Sequence, residues 1–362
     1  MNQGIGNEQR AMLVETATRI FATEIDHARL QTAKTAGIDR ALWQVLADTG
    51  IPRLMLPEEA GGIGGSLADL AALLHLAGRA AAPVPIAETA LLAAWMLDTS
   101  GVPMPEGPLT VAPVSGETVL AVRAPEGWRL NGRLRRVPWA AASEAIVLLA
   151  ESTEGWVIAL VDPRTLALRP GANLAREPRD DFDLVDHPLP AERVFPAGPG
   201  VSARALRMRG ALARALMITG ALERALELAI EHARTRVQFG RKIGAFQAIQ
   251  HELARLAGEV AAARAASGSA VNALGRDDAL IAVASAKIRA SEAAGVGSMI
   301  AHQVHGAIGA TDEYGLHHLS LRLWAWRDEF GNEAAWSTEL GRSVLRSGAD
   351  SLWPSLTAAT RD

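Results

Sequence analysis

The sequence has no cysteine among its 362 residues. This absence excludes disulfide bonds, thiolate metal ligands and cysteine nucleophiles, and it is typical of proteins from a reducing compartment, so a cytoplasmic location is expected. Aromatic residues are also scarce, at 4% of the chain, and only one of them is tyrosine whereas nine are tryptophan. Three of those tryptophans, Trp324, Trp326 and Trp336, lie in one short stretch, where core packing is the simplest interpretation.

Long apolar runs are absent as well. Charged residues interrupt every run well before the roughly 18 residues that a membrane span requires, and the N-terminus lacks the cationic start and apolar core of a signal peptide. The formal net charge of −4 argues against general nucleic-acid binding. With 49% hydrophobic and 21% charged residues, the composition is that of a globular protein, and the length predicts two or three domains.

One stretch is rich in cations. It contains Arg204, Arg207, Arg209, Arg214, Arg234, Arg236, Arg241 and Lys242. Solvated helix faces are the simplest interpretation, an anionic small ligand is the second and nucleic acid the third.

The pattern changes twice along the chain. Apolar periodicity predicts helices around 42–46 and 67–74, separated by a glycine-rich loop at 56–65, and Ser66 is a candidate cap for the second helix. After prolines at 103, 105 and 108, short valine-rich runs predict β-strands at 118–122, 128–132, 145–149 and 156–161. Beyond 198–200 the chain is alanine-rich and helical, and apolar residues at 246, 249, 253, 256 and 260 follow bundle spacing.

The most informative segment covers residues 234–251 and reads RTRVQFGRKIGAFQAIQH. It closely resembles the signature of the acyl-CoA dehydrogenase family. The loop LPEEAGGIGG at 56–65 resembles the family's N-terminal loop, and QVHGAIG at 303–309 with Glu313 and Tyr314 resembles its C-terminal flavin segment. The resemblance spans nearly the whole chain. It implies an α+β fold with an N-terminal α domain (1–107), a middle β-barrel domain (108–197) and a C-terminal four-helix bundle (198–362).

The resemblance also implies a flavoprotein in which two subunits enclose each FAD. Arg236 then contacts the FAD pyrophosphate, which suits the planar fork of donors in a guanidinium group. Phe239 packs near the adenosine half, and Gln303, Gly306 and Ala307 line the path of FAD from the neighbouring subunit. The substrate class implied is an acyl-CoA thioester, as in fatty acid or steroid degradation, and an electron-transfer flavoprotein is a candidate electron acceptor.

The catalytic base expected from the family is missing from its usual place. The family's glutamate precedes a Gly-Thr pair, which aligns with Gly331-Asn332, so the base position holds Phe330. The nearest carboxylate is that of Glu329, one residue early, which is the candidate catalytic residue if the loop has slipped. Some members carry the base on the first long bundle helix, at a position that aligns with Gly210. The sequence therefore favours a chain that does not supply the base.

The middle domain departs from the family as well. Arg136 and Pro138 stand where the family has a Trp-x-Thr near the flavin ring. These differences suggest one subunit of a hetero-oligomer, such as the heterotetramers of bacterial steroid breakdown, whose partner supplies the base and the thioester pocket. A self-tetramer that uses Glu329 as base is one alternative. A non-catalytic scaffold that has lost its flavin is another.

The histidines do not indicate a metal site. His302 and His305 are three residues apart, and His317 adjoins His318. No acidic residue completes a ligand set at helical spacing, so we expect surface or core histidines and no bound metal.

Overall fold

The structure is a computed structural model that describes residues 6–276, 279–348, 350, 353 and 354. These residues form two compact units. The first contains residues 6–24, 28–72 and 83–210, and the second contains 25–27, 73–82 and the described residues from 211 onward. Residues 1–5 and most of 349–362, at the ends of the predicted N-terminal and C-terminal domains, lie outside the described residues.

Helices predominate in the described residues 6–99 and 203–347. Their bounds are α1 (Asn7–Glu24), α2 (His27–Ala36), α3 (Arg40–Asp48), α4 (Leu67–Arg79), α5 (Ala94–Thr99), α6 (Ala203–Thr235), α7 (Gln247–Ala273), α8 (Ala279–His305), α9 (Leu316–Asp328) and α10 (Glu333–Ser347). A π-helix, Ala87–Ala93, directly precedes α5. The two N-terminal helices and the helical C-terminal region predicted from periodicity are confirmed.

Helix α4 begins with a reciprocal cap. The Asp69 backbone N–H donates to Ser66 Oγ at 3.3 Å, and the Ser66 N–H donates to the Asp69 carboxylate at 2.8 Å. This capping box satisfies two amides at the helix start, which confirms the predicted role of Ser66. Arg10 of α1 also contacts the Asp69 carboxylate, so α1 is attached to the same helix end.

The middle of the chain forms one seven-stranded sheet. Its strands are β1 (Leu109–Ala112), β2 (Val119–Ala124), β3 (Gly127–Pro138), β4 (Ala145–Ser152), β5 (Gly155–Val161), β6 (Arg179–Leu189) and β7 (Val194–Pro196). The pairing order is β6-β3-β2-β4-β5-β7, and β1 pairs in parallel with β4. The four predicted strands are confirmed as β2 to β5, whereas β1, β6 and β7 were not singled out from the sequence.

The sheet has one apolar core. All seven strands contribute side chains to it, from Ala112 of β1 to Val194 of β7. Strand β6 contributes Phe182 and Leu184, which alternate with charged residues along the strand. The middle domain predicted as a β-barrel is thus confirmed as a β domain, with β6 and β7 at the two ends of the pairing order.

Close backbone contact holds α4 and α6 together within the second unit. A Cβ added at Gly220 would lie 1.9 Å from the carbonyl oxygen of His75, and one added at Gly78 would lie 2.1 Å from that of Met217. These are backbone atoms, which cannot rotate away. The arginine side chain at the end of α4 also pairs with α6, since Arg79 contacts Glu227 at 2.6 Å.

We therefore expect Gly220→Ala to destabilise the chain by about 1–3 kcal/mol, the usual range for overpacking. Gly258→Ala is the matched control because Gly258 is also helical but has no atom within 4 Å of the place that an added Cβ would take. That control should be neutral or stabilising by up to about 1 kcal/mol, since alanine is the better helix former. Chemical denaturation of the two variants measures the difference, and equal midpoints would contradict the prediction.

Among the described helices, none is both long enough and apolar enough to cross a membrane.

Candidate functional site

The segment that carries the strongest sequence signal forms a tight hairpin after α6. Its strands, β8 (Val237–Gln238) and β9 (Arg241–Lys242), pair antiparallel around Phe239 and Gly240. Both turn residues have positive φ, +52° and +77°, as a two-residue type I′ turn requires. Phenylalanine rarely adopts this conformation. The Phe239 ring is 91% exposed. The hairpin therefore presents an aromatic ring to its surroundings.

Arg236 lies between α6 and this hairpin. Its backbone N–H donates to His232, and its carbonyl oxygen accepts from the Ile243 N–H, both at 2.9 Å. The exposed guanidinium donates to the Gln238 side-chain oxygen at 2.7 Å when that amide is oriented to accept. Within the part of the chain that the structure describes, no carboxylate pairs with Arg236. Its positive charge is available to an anionic ligand.

The second predicted flavin segment lies at the end of α8. Gln303, Gly306 and Ala307 lie there, all three exposed, and Gly306 has a positive φ of +64°. The two segments meet at one end of the second unit, because His232 near the end of α6 stacks on His305 at the end of α8 with ring centroids 4.7 Å apart. The predicted cofactor residues brought to this end are Arg236, Phe239, Gln303, Gly306 and Ala307.

The segment predicted to hold the base follows α9. Glu329 is 9% exposed, and its carboxylate accepts from Nε of Arg214 at 2.7 Å. Arg214 is 2% exposed in α6, so the interpretation of this residue as part of a solvated helix face is wrong. Packing against α9 and its following loop removes Arg214 from water. The sequence-predicted candidate base is thus a partner in a buried ion pair.

Phe330, which is predicted to align with the family's base, has a left-handed backbone. Its φ is +54°, and that of Gly331 is +97°. The ring is 4% exposed and lies under the Arg214 guanidinium, with 5.5 Å between Cζ and the ring centroid. The Phe330 carbonyl accepts a hydrogen bond from the Trp336 indole at 3.0 Å. Contacts of the Phe330 ring with Arg214 and of the Phe330 carbonyl with Trp336 therefore define the conformation of the loop between α9 and α10.

The clustered tryptophans divide by burial. Trp326 and Trp336 are 1% and 0% exposed, which confirms core packing for these two. Trp324 is 37% exposed and stacks near His302, with centroids 6.1 Å apart.

Lys287 of α8 was not identified from the sequence. Its ammonium group is fully buried and donates to the carbonyl oxygens of Trp326 at 3.2 Å and Arg327 at 2.5 Å, and to Ser291 Oγ at 3.1 Å. The two carbonyls belong to the last turn of α9, where helix acceptors lack intrahelical donors. Burial lowers the pKa of Lys287 to about 7. The only feature of the sequence that could have indicated a buried lysine is that α8 is rich in alanine and contains a single lysine.

The other predicted positions fit the sequence interpretation. Gly210 is buried in α6 and supplies no carboxyl group. In the sheet, Arg136 is exposed with φ at +54°, and its N–H donates to the Asp181 carboxylate at 2.8 Å. The Pro138 carbonyl accepts from Thr110 at 2.6 Å.

The histidines at the end of α8 and the start of α9 make protein contacts. His302 bonds to Ser320 at 2.9 Å, and His305 bonds to the Tyr314 hydroxyl at 3.1 Å. His317 and His318 are buried against each other, with ring centroids 4.0 Å apart. Burial lowers the pKa of His302 and His305. Across residues 6–276 and 279–348, no group of histidine, aspartate and glutamate could hold a metal ion.

Comparisons with known proteins agree with this architecture. Residues 7–103 match the family model described as the acyl-CoA dehydrogenase N-terminal domain, and residues 200–331 match the one described as the acyl-CoA dehydrogenase C-terminal domain. Acyl-CoA dehydrogenase IpdE2 of Mycobacterium tuberculosis is 32% identical over 96% of this chain and 98% of its own length.

Two solved structures are similar over almost their full length. One chain of the ChsE4-ChsE5 complex from Mycobacterium tuberculosis has a TM-score of 0.87 and 27% identity, covering 95% of this chain and 99% of its own. A chain of the Tcur3481-Tcur3483 steroid acyl-CoA dehydrogenase, in a G363A variant, has a TM-score of 0.84 and 28% identity, covering 94% of this chain and 98% of its own. Both relatives belong to complexes of two differently named chains.

Proposed function

Because this chain belongs to the acyl-CoA dehydrogenase family, we propose that it takes part in FAD-dependent α,β-dehydrogenation of an acyl-CoA thioester as the base-lacking subunit of a hetero-oligomer. The partner subunit supplies the catalytic carboxylate and the thioester pocket. The substrate class that we propose is a steroid-derived acyl-CoA, on the analogy of the steroid relative.

The buried ion pair between Arg214 and Glu329 is the observation that supports this proposal most directly. A general base must approach its proton to within about 3 Å in the reactive complex. The Glu329 carboxylate is instead 9% exposed and bonded to a guanidinium that is itself 2% exposed. Releasing it toward a substrate would leave the Arg214 charge buried without its partner, which is energetically costly. Neither Phe330 nor Gly210 offers a carboxyl group in its place.

The residues at the common end of α6 and α8 fit the FAD that the family uses. The unneutralised guanidinium of Arg236 is suited to bind the pyrophosphate, and the exposed Phe239 ring is suited to pack on the adenosine half. Gln303, Gly306 and Ala307 would line the cofactor's path from a neighbouring subunit, where small residues let backbone N–H groups approach the ligand. When bound, FAD supplies the acceptor for the hydride that leaves Cβ of the substrate.

The most direct test compares FAD binding by the chain alone with FAD binding by its complex with a partner chain. The chain is purified alone and after co-expression with the chain that co-purifies with it, and each preparation is titrated with FAD. We expect fewer FAD sites than chains in the complex, and bleaching of flavin absorbance by acyl-CoA only when both chains are present. One tightly held FAD per chain in the lone protein, together with turnover, would refute the proposal. A colourless complex that does not respond to acyl-CoA would instead support the scaffold alternative.

We expect Arg236→Ala to weaken FAD binding by roughly 10- to 100-fold, because a charge-assisted hydrogen bond contributes about 1.5–3 kcal/mol. Arg234→Ala is the matched control, since Arg234 is exposed two residues earlier and makes no ion pair in the described chain. Flavin fluorescence during titration of the complex measures both dissociation constants. Equal FAD affinity of the two variants would show that Arg236 does not contact the pyrophosphate.

A further inference from the structure

Arg209 in the first third of α6 lies over the ring of Trp95 in α5. The guanidinium carbon is 3.6 Å from the centroid of the indole, within the first compact unit. Both side chains are half-buried, so the cation is partly withdrawn from water and still reachable by a ligand. Stacking on the flat indole face orients the plane of the guanidinium and leaves its edge free to donate hydrogen bonds.

Arg209 differs from two of the buried arginines, Arg179 and Arg214, in having no ion pair among the residues described. Arg179 pairs with Glu177 at 3.0 Å and Arg214 with Glu329 at 2.7 Å, as expected for charges removed from water. Within the residues described here, Arg209 makes no ion pair and no side-chain hydrogen bond, and Trp95 is its one polar or aromatic contact. Burial alone lowers the pKa of Arg209, to about 10, so the group stays cationic at neutral pH.

The surroundings of Arg209 and Trp95 carry two further features of a binding site. Trp95 follows the fully buried π-helix Ala87–Ala93, and π-helices are rare and occur frequently at functional sites. Arg209 directly precedes Gly210, the position that aligns with the base of some family members. Met96 directly follows Trp95 and Leu206 lies about one helical turn before Arg209, and both are buried and apolar. A cation that makes no ion pair among the described residues thus lies over an indole ring, with buried apolar residues nearby in both helices, and directly precedes a position tied to the family's chemistry.

We propose that Arg209 and Trp95 form a recognition site for a carboxylate carried on the acyl group of the thioester substrate. The guanidinium edge binds the two carboxylate oxygens, and the indole and its apolar neighbours contact the hydrocarbon frame. A single guanidinium without a second donor cation suits a monoanion better than a phosphate dianion. This inference rests on the proposed function, because it specifies the acyl-CoA that the hetero-oligomer takes: one with a carboxyl group distant from the thioester.

The test uses the complex with its co-purifying partner and two matched probes, adipyl-CoA and its monomethyl ester, which differ by one negative charge. Binding is measured by calorimetry and by thermal shift, so it does not require turnover or bound flavin. We expect wild type to prefer adipyl-CoA, and Arg209→Gln to reduce that preference by roughly 10- to 100-fold, as for loss of a hydrogen bond to a charged group. Arg209→Lys should retain part of the preference. Arg133→Gln, which removes an exposed arginine of β3 with no ion pair in the described chain, should leave it unchanged.

Other outcomes overturn the proposal. Equal weakening of both probes by Arg209→Gln would mean that the residue only supports the fold. Weaker binding of CoA itself would mean that the anion is a CoA phosphate. If Arg209→Gln does not fold, Trp95→Leu removes the orienting ring, and an unaltered preference for adipyl-CoA in that variant would refute the site. Failure of the proposed function gives a different result. In that case the complex binds no flavin, or its flavin absorbance does not change when the neutral ester is added, and this holds for wild type and for Arg209→Gln alike.

Discussion

Replacing Glu329 with glutamine is expected to destabilise this chain by about 3–5 kcal/mol, the range for breaking a buried ion pair by removing one partner. The substitution keeps the size of the side chain but removes the Glu329 negative charge from beside the Arg214 guanidinium, which is 2% exposed. Denaturant unfolding of the variant and of wild type measures the loss. Asp328→Asn is the matched control, because the neighbouring Asp328 is exposed and makes no ion pair in the described chain. Its unfolding midpoint should match that of wild type.

The same variant separates the two catalytic alternatives. A general base contributes about 10²- to 10⁴-fold to the rate, so a complex that uses Glu329 as base would lose at least that factor. Under the proposed function, folded complex with Glu329→Gln keeps turnover within about tenfold of wild type, measured below its unfolding temperature. A loss of 100-fold or more with the flavin still bound would establish the self-tetramer with Glu329 as base.

A double variant tests whether any loss of turnover in Glu329→Gln results from misfolding. Arg214→Met with Glu329→Leu replaces the ion pair by apolar side chains of similar size, a change that is often neutral or stabilising in other proteins. We expect it to recover most of the stability that Glu329→Gln loses. If the double variant folds but does not turn over, Glu329 or Arg214 acts in the reaction itself, and the structural interpretation of the pair is wrong.

Raising the pH from about 7 to about 9.5 is expected to stabilise wild type relative to a Lys287→Met variant by up to about 1.4 kcal/mol per pH unit. The pKa of Lys287 is about 7 in the folded chain, below the value of 10.5 for a free lysine, because burial disfavours the charged ammonium. Between these two values the unfolded chain binds more protons than the folded chain. The free energy of unfolding therefore rises with pH in this window and is independent of this group below and above it.

Unfolding of both proteins across pH 6–10 measures this difference. Lys242→Met controls for the loss of a lysine, because Lys242 is exposed in β9. The profile of Lys242→Met should run parallel to that of wild type. A Lys287→Met profile that is also parallel to wild type would contradict the prediction, and would mean that the buried ammonium stays charged beside the carbonyl oxygens of Trp326 and Arg327.

Elements with a strong local signal could be predicted from the sequence. The cap at Ser66 and the strands that became β2 to β5 depend on residues a few positions apart. Strand β6 escaped prediction because its buried Phe182 and Leu184 are interspersed with aspartates. Strand β1 has only four residues, all buried, and so short a run shows no alternation of apolar and polar residues from which a strand could be predicted.

The candidate site divides in the same way. The segment that we propose binds FAD could be identified because Arg236, Phe239 and Gly240 lie in one continuous motif. The partner of Glu329 could not be found, because Arg214 is 115 residues away and resembles any other cation of a basic helix. Lys287 was not identified from the sequence, and Arg209 was noted only as one cation of a basic stretch, because burial and pairing, not residue type, distinguish these two residues.

The sequence by itself determined the family, the order of helical and β regions, and the absence of a carboxylate at positions 210 and 330. Those features depend on residue identity and on spacing along the chain. Only the tertiary structure decided that Glu329 pairs with Arg214, that Lys287 binds the end of α9, and that Arg209 has no anion among the residues described. The physical reason is that the energy of a charge depends on the water and counter-charges around it, and folding brings those from distant parts of the chain.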